Sequence, residues 1–192
     1  MDDPRHVPLY SIPECARYLG LPASTVRSWL GKPGSDRKAD GKPLIIPAGS
    51  DPTALSFANL VEVFVVSSLN RNRRRPTREL LQSFLSKESH GGLPSSTCST
   101  KSDLIIDRIG YDNDGVPIKF YPFTRGYGRE DPKLVVIDPA VSFGSPVVAG
   151  SGVRTLVVAR RIKGGEPFAD VADDYLLDQS QIEEAVRYEL AV

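Results

Sequence analysis

The stretch YSIPECARYLGLPASTVRSWL, residues 10–30, holds two short helix patterns separated by one break. Ser11 stands where a helix N-cap belongs, Glu14 follows three residues later, and Pro13 sits in the first turn, the arrangement of a capping box. Ile12, Cys15, Ala16 and Leu19 then share one helical face. Gly20 breaks the pattern. A second helix is expected from about Pro22 to Leu30, with Val26, Trp29 and Leu30 inward and Gly31 ending it. Ala16 is small where the two helices cross. Two short helices joined by a tight glycine-bearing turn make a helix-turn-helix.

The outward positions of the second helix are Ser24, Thr25, Arg27 and Ser28, with Lys32 just beyond. Short hydroxyls and cations reach phosphates and base edges in a major groove. The plainer alternative is a surface helix pair inside some other all-α domain.

Working outward, Gly41-Lys42-Pro43 leads into Leu44-Ile45-Ile46, which reads as a turn entering a short strand. Ser56 caps a long apolar-faced helix expected over 57–69. A basic loop, residues 71–76, carries Arg73 and Arg74 and leads into a helix over 77–85. Those arginines either neutralise phosphates or form a solvated loop at a helix C-terminus. The segment KESHGGLPSSTCSTK, 87–101, reads as a linker. Beyond it lie a hairpin around Asp112-Asn113-Asp114-Gly115 and a strand over 133–137. Helices follow over 155–163, 167–174 and 179–190.

The 192 residues are 40% hydrophobic and 25% charged, which suits a folded globular chain and excludes wholesale disorder. The net charge of zero conceals an asymmetry. Residues 1–90 carry thirteen Lys+Arg against nine Asp+Glu, and residues 91–192 carry eleven against fifteen. Opposite balances suggest different partners for the two halves. No apolar run approaches a membrane span, and the opening MDDPRHVPLY lacks the pattern of a signal peptide. Cys15 and Cys98 make no disulfide framework, so a reducing cytoplasm is the expected compartment. Cys15 suits a helix core and Cys98 an exposed linker.

Enzyme chemistry finds little footing. His6 and His90 have no metal-ligand spacing with either cysteine, and His90 beside Gly91-Gly92 is a poor fixed base. Gly144, Gly150 and Gly152 lack phosphate-loop spacing and read as tight turns needing positive φ. Asp170, Asp173 and Asp174 read as a solvated helix face. No catalytic residue, metal or cofactor is expected.

YSIPECARYLGLPASTVRSWL followed by LSFANLVEVFVV resembles the MerR-like winged-helix DNA-binding domains, over residues 9–86. The resemblance implies that the helix around Ser24 to Trp29 reads the major groove while a wing near Lys38 to Lys42 touches backbone. Pro22 stands where such domains often have Ser or Thr. VVIDPAVSFGSPVVAGSGV, GGEPFADVADDY and QIEEAVRYEL resemble a small helical domain of unknown function found in many bacterial antitoxin-type proteins. Arg154 stands where that domain usually has Pro, Leu176 where it usually has Gly, and the middle of the chain is shorter. Together the two halves resemble a VapB-type antitoxin, which implies operator DNA and a PIN-type ribonuclease toxin as partners.

The expected fold is mainly α with short β elements. A winged helix-turn-helix (1–88) precedes a linker (89–101) and a small β-hairpin plus three-helix, helix-turn-helix-like domain (102–192). The expected DNA contacts are Ser24, Thr25, Arg27, Ser28, Lys32, Lys42, Arg73 and Arg74. The last helix pair repeats the first: Ala172 to Ile182 is ten residues, as is Ala16 to Val26. Residues 166–192, however, hold eight acidic residues and one basic, so protein contact is the better use. Within it Val171, Tyr175, Ile182 and Val186 should be core, and Glu183, Arg187 and Tyr188 a partner surface. A homodimer on a two-fold DNA site is expected. Two other functions fit the same residues: a MerR-like regulator without a toxin, and an excisionase-like DNA-binding accessory factor.

Overall fold

A computed structural model describes residues 3–30, 43–47, 51–71, 76–85, 100–126, 128 and 130–191. By its internal contacts the chain divides into two compact units, Met1–Ile118 and Lys119–Val192. Helices predominate, and the strands among the described residues pair in two-stranded ribbons.

In the first unit, β1 (Tyr10–Ser11) pairs antiparallel with β2 (Ala54–Leu55). The capping box forms: Ser11 Oγ accepts from Glu14 N at 3.3 Å, and Ser11 N donates to Glu14 Oε2 at 2.9 Å. Helix α1 (Ile12–Tyr18) buries Ile12, Cys15 and Ala16. Gly20, at φ 60°, turns the chain into α2 (Ala23–Leu30). Val26 and Leu30 are buried there, and Trp29 is half-buried.

Helix α3 (Phe57–Arg71) starts on a reciprocal cap between Ser56 and Asn59. The sequence suggested one apolar face, but Val61 and Val63 to Val66 are all essentially inaccessible. A helix apolar all round is a buried one, so α3 is the centre of this unit. The expected strand at Leu44 to Ile46 does not form. Pro43 and Pro47 flank it and lack the N–H groups a ladder needs. Instead Ile45 N donates to Trp29 O at 3.2 Å, and Ile46 O accepts from Asn59 Nδ2 at 2.9 Å. The expected wing, near Lys38 to Lys42, lies outside the described residues.

Helix α4 (Arg78–Leu85) follows. Of the expected linker, 89–99 lies outside the described residues, while Thr100 and Lys101 open α5 (Thr100–Asp107). Short polar residues that read as linker also start helices. Strand β3 (Ile109–Tyr111) then turns through Asp112 into β4 (Pro117–Phe120). Arg5 reaches Asp112 Oδ2 at 2.5 Å, which ties this turn to the N-terminal segment. The division between the units falls after Ile118.

In the second unit, Phe120 bridges Ile137, and β5 (Val135–Val136) pairs antiparallel with β6 (Val147–Val148). Helices α6 (Thr155–Lys163), α7 (Phe168–Tyr175) and α8 (Gln179–Ala191) complete it. Val148, Val158, Val171, Ala172, Ile182 and Ala185 form its core. Tyr175 and Val186, expected as core, pack against it partly buried. Gly144, Gly150 and Gly152 all have positive φ.

Candidate functional site

Helix α2 presents the first candidate surface. Ser24, Arg27 and Ser28 are exposed, and Thr25 is half-buried. Ser28 Oγ donates to Thr25 O at 2.7 Å, so its hydroxyl already has a local partner in the free protein. Arg27 is the single charged residue of the helix and points to solvent. Lys32, Lys42, Arg73 and Arg74 lie outside the described residues.

The second helix pair copies the first in hydrogen bonds as well as spacing. Each of its residues lies 156 positions after its counterpart. Leu21 N donates to Ala16 O at 2.8 Å, and Leu177 N donates to Ala172 O at 2.9 Å. Gly20, at φ 60°, matches Leu176, at φ 54°. Val26 N reaches Pro22 O, and Ile182 N reaches Asp178 O. In this register Glu183 occupies the place of Arg27, and Glu184 that of Ser28.

Those two substitutions change the chemistry of the face. Glu183 is exposed, so a carboxylate stands where a phosphate contact would need a cation. Glu184 is fully buried, and its Oε2 accepts from Arg125 Nε and Nη2 at 2.9 and 2.6 Å. Burial pushes the Glu184 carboxyl upward. Hydrogen bonds from Arg125 and Thr124, with the charges of Arg125 and Arg187, outweigh it and hold the group below its ordinary range. Glu189 accepts from Thr155 Oγ1 at 2.5 Å. Of the acids on this helix, Glu183 is the most exposed.

The expected partner surface needs one correction. Glu183 and Arg187 are exposed, but Tyr188 is fully buried. Tyr188 lies three residues after Ala185, which follows Ile182 by three on the same buried face, and that apolar spacing was the available signal. The Arg125–Glu184 pair itself had no such signal, because its members lie 59 residues apart.

Arg154 and Leu176 show how the departures are accommodated. Arg154 precedes α6 at φ −66°, an angle proline also adopts, and its Nη2 donates to Ser142 O at 3.3 Å. Leu176 takes the left-handed C-cap usually given to glycine and leaves its side chain 94% exposed.

Other features of the described residues are less directed. His6 is exposed, whereas His90 and Cys98 lie outside the description. A cleft of about 280 Å³ in the first unit is lined by Leu44, Ile46, Asn59, Glu62, Arg78 and Leu81, among others. Burial raises the Glu62 carboxyl there. No group of three or more His, Cys, Asp or Glu among the described residues is placed to hold a metal ion. No helix among them is long and apolar enough to cross a membrane.

Comparison with known proteins places these features in a wider setting. Residues 135–188, from β5 to Tyr188, match a family described as "Protein of unknown function (DUF433)". The chain is 25% identical to "Putative antitoxin VapB45" of Mycobacterium tuberculosis (strain ATCC 25618 / H37Rv), over 94% of this chain and 93% of the relative. It is 24% identical to "Uncharacterized protein Rv2308" of the same organism, over 94% and 89%. Its fold is similar to the crystal structure of Rv2018 from Mycobacterium tuberculosis, with a TM-score of 0.65, 24% identity, and coverage of 94% of this chain and 98% of that one. The likeness therefore extends through both units and is not confined to one helix pair.

Proposed function

We propose that this chain is the antitoxin of a toxin–antitoxin pair. Residues 1–88 bind operator DNA through α2, and the second unit contacts a PIN-type ribonuclease toxin. The observation that carries the reading is the similarity to VapB45 over 94% of the chain, spanning both units. The reversal from Arg27 to Glu183 supports the division of labour, because one helix pair keeps a cation outward and the other a carboxylate. Autorepression follows if the operator lies before the chain's own gene.

Two measurements test it. The full chain should bind duplex DNA from upstream of its gene, more weakly as salt rises. Arg27→Ala should cost about 1–3 kcal/mol if Arg27 reads a base, or lower the salt slope by about one if it contacts phosphate. Coexpression should also relieve growth arrest caused by a PIN-type protein encoded beside it. DNA binding without any such rescue would leave a regulator lacking a toxin. Rescue without DNA binding would remove the operator role.

A further inference from the structure

Ser142, Phe143 and Gly144 have φ of 48°, 54° and 68°, which makes one turn of left-handed helix. Glycine accepts this conformation, but Ser and Phe carry a β-carbon that crowds the following carbonyl. The turn is nevertheless held at several points. Gly144 N donates to Val141 O at 2.9 Å, and Ser145 N to Ser142 O at 3.2 Å. Ser142 Oγ donates to Gly152 O at 3.1 Å, and Arg154 Nη2 to Ser142 O at 3.3 Å. Gly144 is buried beneath. The outcome is a phenyl ring carried outward on a held backbone turn and 83% exposed.

Neither feature favours folding, since strain opposes it and a bared ring contributes almost no burial. Backbone strain that the surroundings enforce is characteristic of ligand clamps and recognition loops. An aromatic side chain on a backbone already ordered before binding also makes a good interface anchor, because less ordering remains to be done. We propose that this turn is a preformed aromatic anchor that inserts Phe143 into an apolar, carboxylate-rimmed pocket of the toxin. This rests on the antitoxin reading above and names the contact within it.

Charge selects the occupant. Arg154 is exposed and its guanidinium touches the turn. Two copies of the chain meeting about a two-fold axis at Phe143 would bring their Arg154 cations together. A different protein with carboxylates around its pocket meets that cation with opposite charge.

The test uses the full chain and the purified PIN-type protein encoded beside it. Phe143→Gly removes the ring and also suits the left-handed turn. It should weaken toxin binding on the order of 100-fold while the melting temperature stays equal or rises. Phe143→Asn, also tolerated there, should behave alike. Arg154→Glu should slow association roughly ten-fold, an effect that fades in high salt. Toxin binding unchanged in Phe143→Gly would overturn the anchor and leave the antitoxin reading standing. No binding by the wild-type chain would overturn that reading and the anchor with it. Unchanged toxin affinity with a smaller mass by light scattering would assign the ring to a second copy, which also overturns the proposal.

Discussion

Arg125 donates from Nε and Nη2 to a single oxygen of Glu184, at 2.9 and 2.6 Å. The Glu184 side chain is fully buried, and that of Arg125 is 52% exposed. Glu184 Oε1 is buried without a hydrogen-bond partner. Asp131 aims the arginine by accepting from the backbone N–H groups of Thr124 and Arg125. A carboxylate drawn into α8 is thus neutralised by a loop far away in sequence.

Arg125→Met should therefore destabilise the second unit. Removing one partner of a buried carboxylate is destabilising, and the loss is moderated by the exposure of Arg125 and by Arg187, whose Nε lies 3.6 Å from the same oxygen. Chemical denaturation of the full chain, followed in the second unit, reads the difference. Wild-type stability in this variant would show that water solvates Glu184 adequately.

Acid should act on the same pair. The folded-state pKa of Glu184 lies below its ordinary 4.5, so its stabilisation is present above that value and is lost as pH falls through the folded-state pKa. Melting temperature should thus fall more steeply below pH 4.5 in the wild type than in Glu184→Gln, which has no carboxylate to protonate. Parallel curves for the two proteins would contradict this.

Leu176→Gly should stabilise the protein. Leu176 is left-handed at φ 54°, ψ 45°, and its side chain is 94% exposed. Glycine removes the strain and loses almost no packing, and the net gain is about 1 kcal/mol after its greater freedom in the unfolded chain. Calorimetry should show a rise of roughly 2–4 °C for a chain of this size. Leu177→Ala is the contrasting variant: it should destabilise, because Leu177 packs against the core.

Cys15 should be inert in the folded protein. It is fully buried, and burial pushes its thiol up to about 12. In a Cys98→Ser background a thiol reagent at pH 8 should react only after denaturant is added. Rapid native labelling would mean that α1 opens readily.

Much of the local structure was legible because its causes are local. The box at Ser11 and Glu14, the break at Gly20 and the bounds of α6 follow from caps, turns and periodicity within a few residues. So did the likeness of the two helix pairs, since Ala16 and Ala172 stand equally far before Val26 and Ile182. The surfaces were less legible. Tyr188 read as partner surface because tyrosine suits either environment, and the residues covering it come from elsewhere in the chain.

By itself the sequence determined two helix pairs, their opposite charge, and the absence of a disulfide framework, because composition and short-range spacing suffice for these. Only the tertiary structure decided that Glu184 is buried beneath Arg125, that Leu44 to Ile46 forms no strand, and that Phe143 stands out on a left-handed turn. Each of these depends on which distant groups pack against a residue. Burial, and the charge or strain that burial sustains, is set by contacts across the fold and not by neighbours along the chain.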